Sequence, residues 1–160
     1  MRRRHRRSDC PVHFALEVFG DPWTLLIVRD LMFKDRTTYT EFLRAEEEIA
    51  TNILADRLLR LEQDGIVVKD AAAAGGGYRL TAKGIDLLPI LLEIIAWSAK
   101  HDGRTAADRA FVRRYRADKE AFARKLRAEL EERHVRRDRI GAGRRKWRRR
   151  HDRAGEPDPY

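Results

Sequence analysis

Apolar residues recur at helical spacing through the first two thirds of the chain, and glycine, proline and short polar links interrupt them at intervals. The stretch Cys10 to Phe19, with Asp9 as N-cap and Pro11 in the first turn, stops at Gly20 and predicts a short helix. Asp21-Pro22 repeats that start signal, and Trp23, Leu26, Ile27 and Leu31 carry a second helix to about Phe33. Thr38 and Glu41 stand at capping-box spacing and open a third helix, Tyr39 to about Glu46, that buries Phe42 and Leu43. A turn anchored by Ile49 leads to a fourth helix, Thr51 to Asp64, closed by Gly65.

The period then changes. Ile66 to Lys69 and Tyr78 to Leu80 are short β-type runs around Ala71 to Gly77, whose glycines suit a turn, so the pair predicts a hairpin. Thr81 opens a further helix that continues through Ile85 to Trp97. Its two adjoining stripes, Leu87, Leu91, Ile94 and Leu88, Leu92, Ile95, offer more apolar surface than one core needs, so part of it should meet a partner. From Ala106 to about Ile140 there is no Gly or Pro, and Phe111, Tyr115, Phe122, Leu126 and Leu130 form a narrow seam among charges, predicting one long, mostly solvated helix. Gly141 to Tyr160 has almost nothing to bury and is expected to be disordered. The expected fold is mainly α with a small β-hairpin, a winged helix-turn-helix with an extra long C-terminal helix. Its parts are a basic arm (1–8), the winged domain (9–103), a charged amphipathic helix (104–140) and a basic tail (141–160).

A chain of 160 residues supports one ordinary core. Its charge of +9 is unevenly placed: residues 8–103 hold 10 Lys+Arg against 16 Asp+Glu, and residues 104–140 hold 13 against 7. These two stretches cancel, so the excess comes from five arginines in residues 1–7 and from the tail, where seven basic residues face three acids. No run is apolar for the roughly 18 to 20 residues that a membrane span needs, and the arginine-rich start lacks the apolar segment of an export signal, so a cytoplasmic protein is expected. The lone Cys10 has no base partner, the five histidines form no metal-ligand spacing and no phosphate loop is present, so neither catalysis, metal nor cofactor is expected.

Several local patterns, in order from about Asp9 to Asp102, resemble the HxlR family of bacterial regulators. They are Cys10-Pro11-Val12, Gly20 with Trp23, Tyr39-Thr40-Glu41-Phe42, Ile49 to Leu58, Leu61-Glu62 before Gly65-Ile66-Val67, Tyr78-Arg79-Leu80-Thr81 and Leu87-Leu88-Pro89. The resemblance implies a homodimer built through the first helix and Leu87 to Trp97, recognition helices in successive major grooves of double-stranded DNA, and transcription regulation. Where the family often has Ser-Pro-Lys this chain has Ala50-Thr51-Asn52, without the serine cap and the basic contact, and the wing tip lacks the family's frequent Arg.

At 100° per residue, Leu54, Leu58 and Leu61 fall on one side of the fourth helix and Asn52, Ala55, Asp56, Leu59 and Gln63 on the other. The first turns of such a helix reach base edges, so Thr51, Asn52, Ala55 and Asp56 are the candidate readers: Asn pairs bidentately with adenine, Ala55 leaves room for a thymine methyl, and Asp56 can only accept. Arg60, Thr40 and, at the wing base, Lys69 and Arg79 complete the candidate DNA-binding set. Arg57 lies near the inner face and suits pairing with an acid, with DNA contact as the alternative. Glu46-Glu47-Glu48 would repel phosphate unless turned away. A winged domain of net −6 needs other cations for affinity, and Arg2 to Arg7 and Arg144 to Arg150, with Trp147, are the candidates.

Cys10, at a helix N-terminus after five arginines, sits in electropositive surroundings and is a candidate redox sensor; the alternative is an inert thiol packed as a small hydrophobe. A small-molecule effector between dimer helices, lined by Trp23 and Trp97, competes with plain core or interface roles for both rings. The rival to sequence-specific regulation is a non-sequence-specific architectural DNA- or RNA-binding protein in which the arginine ends dominate.

Overall fold

The structure is a computed structural model that describes residues 8–70 and 76–136. The arginines of the N-terminal arm, the wing tip 71–75, the end of the long predicted helix and the basic tail with Trp147 lie outside the described residues. The chain divides into two compact units, residues 1–93 and 94–160.

In the first unit, α1 spans Pro11–Phe19 with Cys10, not Asp9, in the N-cap position and proline in its first turn. α2 (Thr24–Phe33) begins later than expected, with Trp23 rather than Asp21 in the N-cap position and Pro22 ahead of the helix, although one Asp21 carboxylate oxygen accepts from the N–H groups of Trp23 (2.9 Å) and Thr24 (3.0 Å). The capping box of α3 (Tyr39–Leu43) is complete, with the Glu41 N–H donating to the Thr38 hydroxyl and the Thr38 N–H donating to Glu41. This helix stops at Leu43, shorter than predicted, and the chain turns through a left-handed Glu48 (φ 53°) before α4 (Thr51–Gln63). Gly65 (φ 69°) reverses the chain after α4, a backbone conformation that favours glycine.

Strands β1 (Val67–Asp70) and β2 (Gly77–Leu80) pair antiparallel with Val67 opposite Leu80 and Asp70 opposite Gly77. The hairpin is tied to its surroundings by backbone bonds. The Tyr78 N–H donates to the Thr37 carbonyl at 2.7 Å and the Thr81 N–H to Ile66 at 3.0 Å, while the Thr81 hydroxyl donates to Gly65 at 2.6 Å. The predicted helix from Thr81 is interrupted. It consists of α5 (Ala82–Ile85) and α6 (Leu88–His101), separated at Asp86-Leu87, with Pro89 in the first turn of α6 where its missing N–H costs nothing. Gly84 lies so close to the Ile66 carbonyl that a Cβ there would collide with it, which sets how tightly α5 closes over the end of α4.

The core of this unit collects Ile27, Val28 and Leu31 from α2, Phe42 from α3, Leu54, Leu58 and Leu61 from α4, Ile66, Val67 and Leu80 from the hairpin, and Ile85, Leu88 and Leu92 beyond it. By contrast α1 buries none of its residues, and Val12, Phe14 and Leu16 are all exposed. On α6 the bare apolar residues are Ile90, Ile94 and Trp97, at i, i+4 and i+7, so Leu91, expected beside Ile94, belongs to the core instead.

In the second unit the single long helix of the sequence reading becomes two, α7 (Arg109–Ala117) and α8 (Lys119–Glu131), followed by a π-helical turn over 132–136. Asp118 is extended (φ −152°, ψ 93°), and its carboxylate accepts from the Ala121 N–H at 2.9 Å, capping α8. The apolar seam shows the effect. Eleven residues of continuous helix would separate Phe111 and Phe122 by about 16 Å, but their rings meet edge to face with centroids 5.0 Å apart. Burying the seam locally between two short helices is more favourable than leaving it along one solvated rod. Among the described residues no helix is long and apolar enough to cross a membrane.

Candidate nucleic-acid interface

The second helix of the helix-turn-helix, α4, presents the face that its pattern predicts. Leu54, Leu58 and Leu61 are at most 2% exposed, whereas Thr51, Asn52, Ala55, Leu59, Arg60 and Gln63 are exposed. Ala50, in the N-cap position, supplies no side-chain acceptor to the first turn. The Tyr39 hydroxyl instead ties α3 to the start of α4, donating to the Thr51 carbonyl at 2.8 Å. Thr40 is exposed on α3 beside it.

The acids of the turn are occupied. Arg29 of α2 forms a two-pronged pair with Glu47 and also holds Asp30, while Arg36 bridges Asp30 at 3.0 Å and Glu46 at 3.2 Å. Lys34 adds a second contact to Glu46 at 3.0 Å. The Arg36 guanidinium, with Lys34, pulls the Glu46 carboxyl down to about 2, and Arg29 holds Glu47 below the usual carboxylate range. Two of the three glutamates that looked repulsive thus have their charges matched within the motif. No spacing rule marks Arg29, Asp30 and Arg36 as partners of Glu46 and Glu47; the pairs exist because the chain folds back on itself.

Other candidates are distributed less evenly. Asp56 is half-buried and lies 3.0 Å from Arg60 and 3.3 Å from Arg57, so both cations of α4 are engaged. Arg57 also reaches Asp21 at 3.2 Å, which is the acid pairing expected of it. Burial pushes the Asp21 carboxyl up, but its bonds from Thr24 and Trp23 and the charge of Arg57 outweigh this and leave it lowered. Lys69 is exposed and 3.6 Å from Glu62. Arg79 departs from the reading: it is 8% exposed and pairs with Asp70 across the hairpin at 3.0 Å, so it braces the wing rather than standing at its surface. Leu59, 53% exposed on the same side as Asn52 and Ala55, is a large apolar residue not among the candidates from sequence; its only signal was an apolar residue on a polar face. Cys10 is exposed at the start of α1. Trp97 is exposed and Trp23 half-buried, so neither is a plain core residue.

The family model for HxlR-like helix-turn-helix proteins matches residues 18–106. The chain belongs to the HxlR-like helix-turn-helix family. The uncharacterized HTH-type transcriptional regulator sll1512 of Synechocystis is 30% identical over 86 residues, which are 52% of this chain and 63% of that protein. YvaP of Bacillus subtilis, likewise described as an HTH-type transcriptional regulator, is 32% identical over 54% of this chain and 82% of its own. Among solved structures, that of the transcription factor PA1607 shares 39% identity over 65% of this chain and 72% of its own, with a TM-score of 0.55. The redox regulator HypR in its reduced form shares 30% identity over 57% of this chain and 92% of its own, with a TM-score of 0.51. The HxlR-like segment thus ends shortly before α7, and α7 and α8 lie beyond it.

The depressed Glu46 carboxyl has a pH signature. A folded-state value below the usual 4.5 means that the ionised form stabilises the fold, a contribution complete above pH 4.5 and lost as the pH falls through about 2. Glu46→Gln should therefore melt below the native protein at pH 7, and the difference should vanish near pH 2 in thermal scans followed by circular dichroism.

Proposed function

We propose that this protein is a cytoplasmic transcription regulator that binds double-stranded DNA sequence-specifically as a homodimer. The observation that carries this reading is the exposed N-terminal half of α4, with Thr51, Asn52 and Ala55 bare over a fully buried leucine face, behind a turn whose Glu46 and Glu47 are already paired. In this reading Thr51 and Asn52 contact base edges, Ala55 and Leu59 accommodate thymine methyls, and Asp56 accepts from a cytosine amino group or serves only to orient Arg60. Thr40, Arg60 and Lys69 approach phosphates, and Arg79 supports the wing from within. The uncapped first turn of α4 leaves N–H groups available to a phosphate. The arginine-rich ends supply the affinity that a domain of net −6 lacks.

Selection from a random DNA pool should return a common sequence bound well above random DNA at physiological salt, and Asn52→Ala should cut that preference about tenfold, from a bidentate contact worth roughly 1–3 kcal/mol. A preference ratio near one would favour the architectural reading instead.

The dimer is supported by α1, none of whose residues is fully buried and whose Val12, Phe14 and Leu16 are exposed, and by the bare stripe Ile90, Ile94, Trp97. A nine-residue helix is marginal in water unless packed, so a second chain over these surfaces accounts for it. Sedimentation should give two chains for the native protein and one for Ile94→Asp/Trp97→Asp; a native monomer at micromolar concentration removes this part of the reading.

Exposure of Cys10 at the start of α1, and similarity to the redox regulator HypR, favour redox modulation. Diamide would accept the two electrons and two protons lost when the Cys10 thiol joins a second thiol, that of the other protomer or of a small molecule, in a disulfide. Diamide should change DNA binding of the native protein and leave Cys10→Ser unaffected; equal responses count against a sensing role.

A further inference from the structure

The second unit contains a cavity of about 360 Å³ between the end of α6, the 102–107 link and α7. It is within the size range of small-molecule sites, roughly 300–1,000 Å³. Three of its lining residues are cations: Arg109, Arg113 and Arg116 face it from α7, above the buried Val112. At i, i+4 and i+7 these three side chains occupy one face of the helix, where like charges repel. Asp102, the single carboxylate of the lining, is already committed, since it accepts from the Arg104 N–H at 2.9 Å and lies 3.3 Å from the Arg104 Nε. Arg116 donates to the Ala96 carbonyl at 2.8 Å, which holds it at the cavity edge. Arg109 and Arg113 meet no carboxylate among the described residues, whereas in the first unit Arg29, Arg36, Arg57, Arg60 and Arg79 each do.

We propose that this cavity binds a small anion carrying two or more carboxylate or phosphate groups. Arg109 and Arg113 grip it through paired N–H donors, with Arg116 and the Thr105 hydroxyl at the margin. A guanidinium presents planar, doubly donating edges that match carboxylate and phosphate oxygens, and an anion between adjacent arginines relieves their repulsion. Arg109, Val112, Arg113 and Arg116 lie beyond residue 106, where the match to the family ends, so the arginines of the site come from outside the family segment while Asp102 and Thr105 lie within it. The proposal does not depend on the DNA-binding reading.

Calorimetric titration of the full chain, without DNA and at constant ionic strength, with citrate and with pyrophosphate tests it. At least one probe should bind saturably, and Arg109→Gln/Arg113→Gln should weaken that binding about tenfold or more, as loss of charge-assisted bonds does. Arg124→Gln/Lys125→Gln, the same charge change on exposed positions of α8, should leave it unaltered. The proposal is overturned if neither probe saturates, if the Arg109/Arg113 variant binds as the native chain does, or if the α8 variant loses as much. It is also overturned if the Arg109/Arg113 variant loses DNA affinity while the native chain binds neither probe, which would make these arginines a DNA-phosphate contact.

Discussion

The placement of α4 depends on a clasp of ion pairs around Asp30. This carboxylate is 2% exposed and is held by Arg29 and Arg36, each of which reaches onward to the turn before α4, at Glu47 and Glu46 respectively. Exposed ion pairs contribute about 0–1 kcal/mol, whereas removing one partner of a buried pair costs roughly 3–5 kcal/mol, so the weight of the clasp rests on Asp30 rather than on the outlying glutamates. Its geometric role is larger than its net energy. Two rigid, forked guanidiniums fix the turn against α2, and with it the angle at which α4 leaves the core.

The same clasp resolves an electrostatic conflict. A helix-turn-helix with three consecutive glutamates in a net negative domain would repel a phosphate backbone. Pairing Glu46 and Glu47 internally confines their field to the motif, while the exposed start of α4 carries uncharged Thr51, Asn52 and Ala55. Arg57 and Arg60 are likewise occupied by Asp21 and Asp56, so most of the charge near α4 is spent on architecture and little is left for phosphate. In the proposed DNA-binding reading, discrimination rests on the polar and small residues of α4 and affinity on the arginine-rich ends.

Beyond the family segment the architecture follows different logic. The seam of Phe111, Tyr115 and Phe122 is closed by a break at Asp118, with the Lys119 ammonium 5.5 Å from the Tyr115 ring and the Arg114 guanidinium 6.0 Å from that of Phe122. Closing the seam this way leaves the opposite face of α7 to its arginines, and that face borders the cavity beside the end of α6.

Capping chemistry and periodicity were legible residue by residue: Asp21 before α2, the Thr38 and Glu41 box, Gly65 after α4, and the buried Leu54, Leu58, Leu61 face all arise from contacts within a few positions. The candidate base readers Thr51, Asn52 and Ala55 follow from the same local rule. What the sequence could not specify was how charges and apolar residues far apart in the chain would meet. Arg79 has the composition of a phosphate contact, and only the hairpin register puts it on Asp70. Asp118 scans as one more polar position on a helix, and becomes a cap only because folding the helix back buries aromatic rings that a straight one would leave in water. Local signals determine where elements start and stop; long-range pairing determines which charged side chains remain free, because a guanidinium binds whichever carboxylate the fold brings within reach.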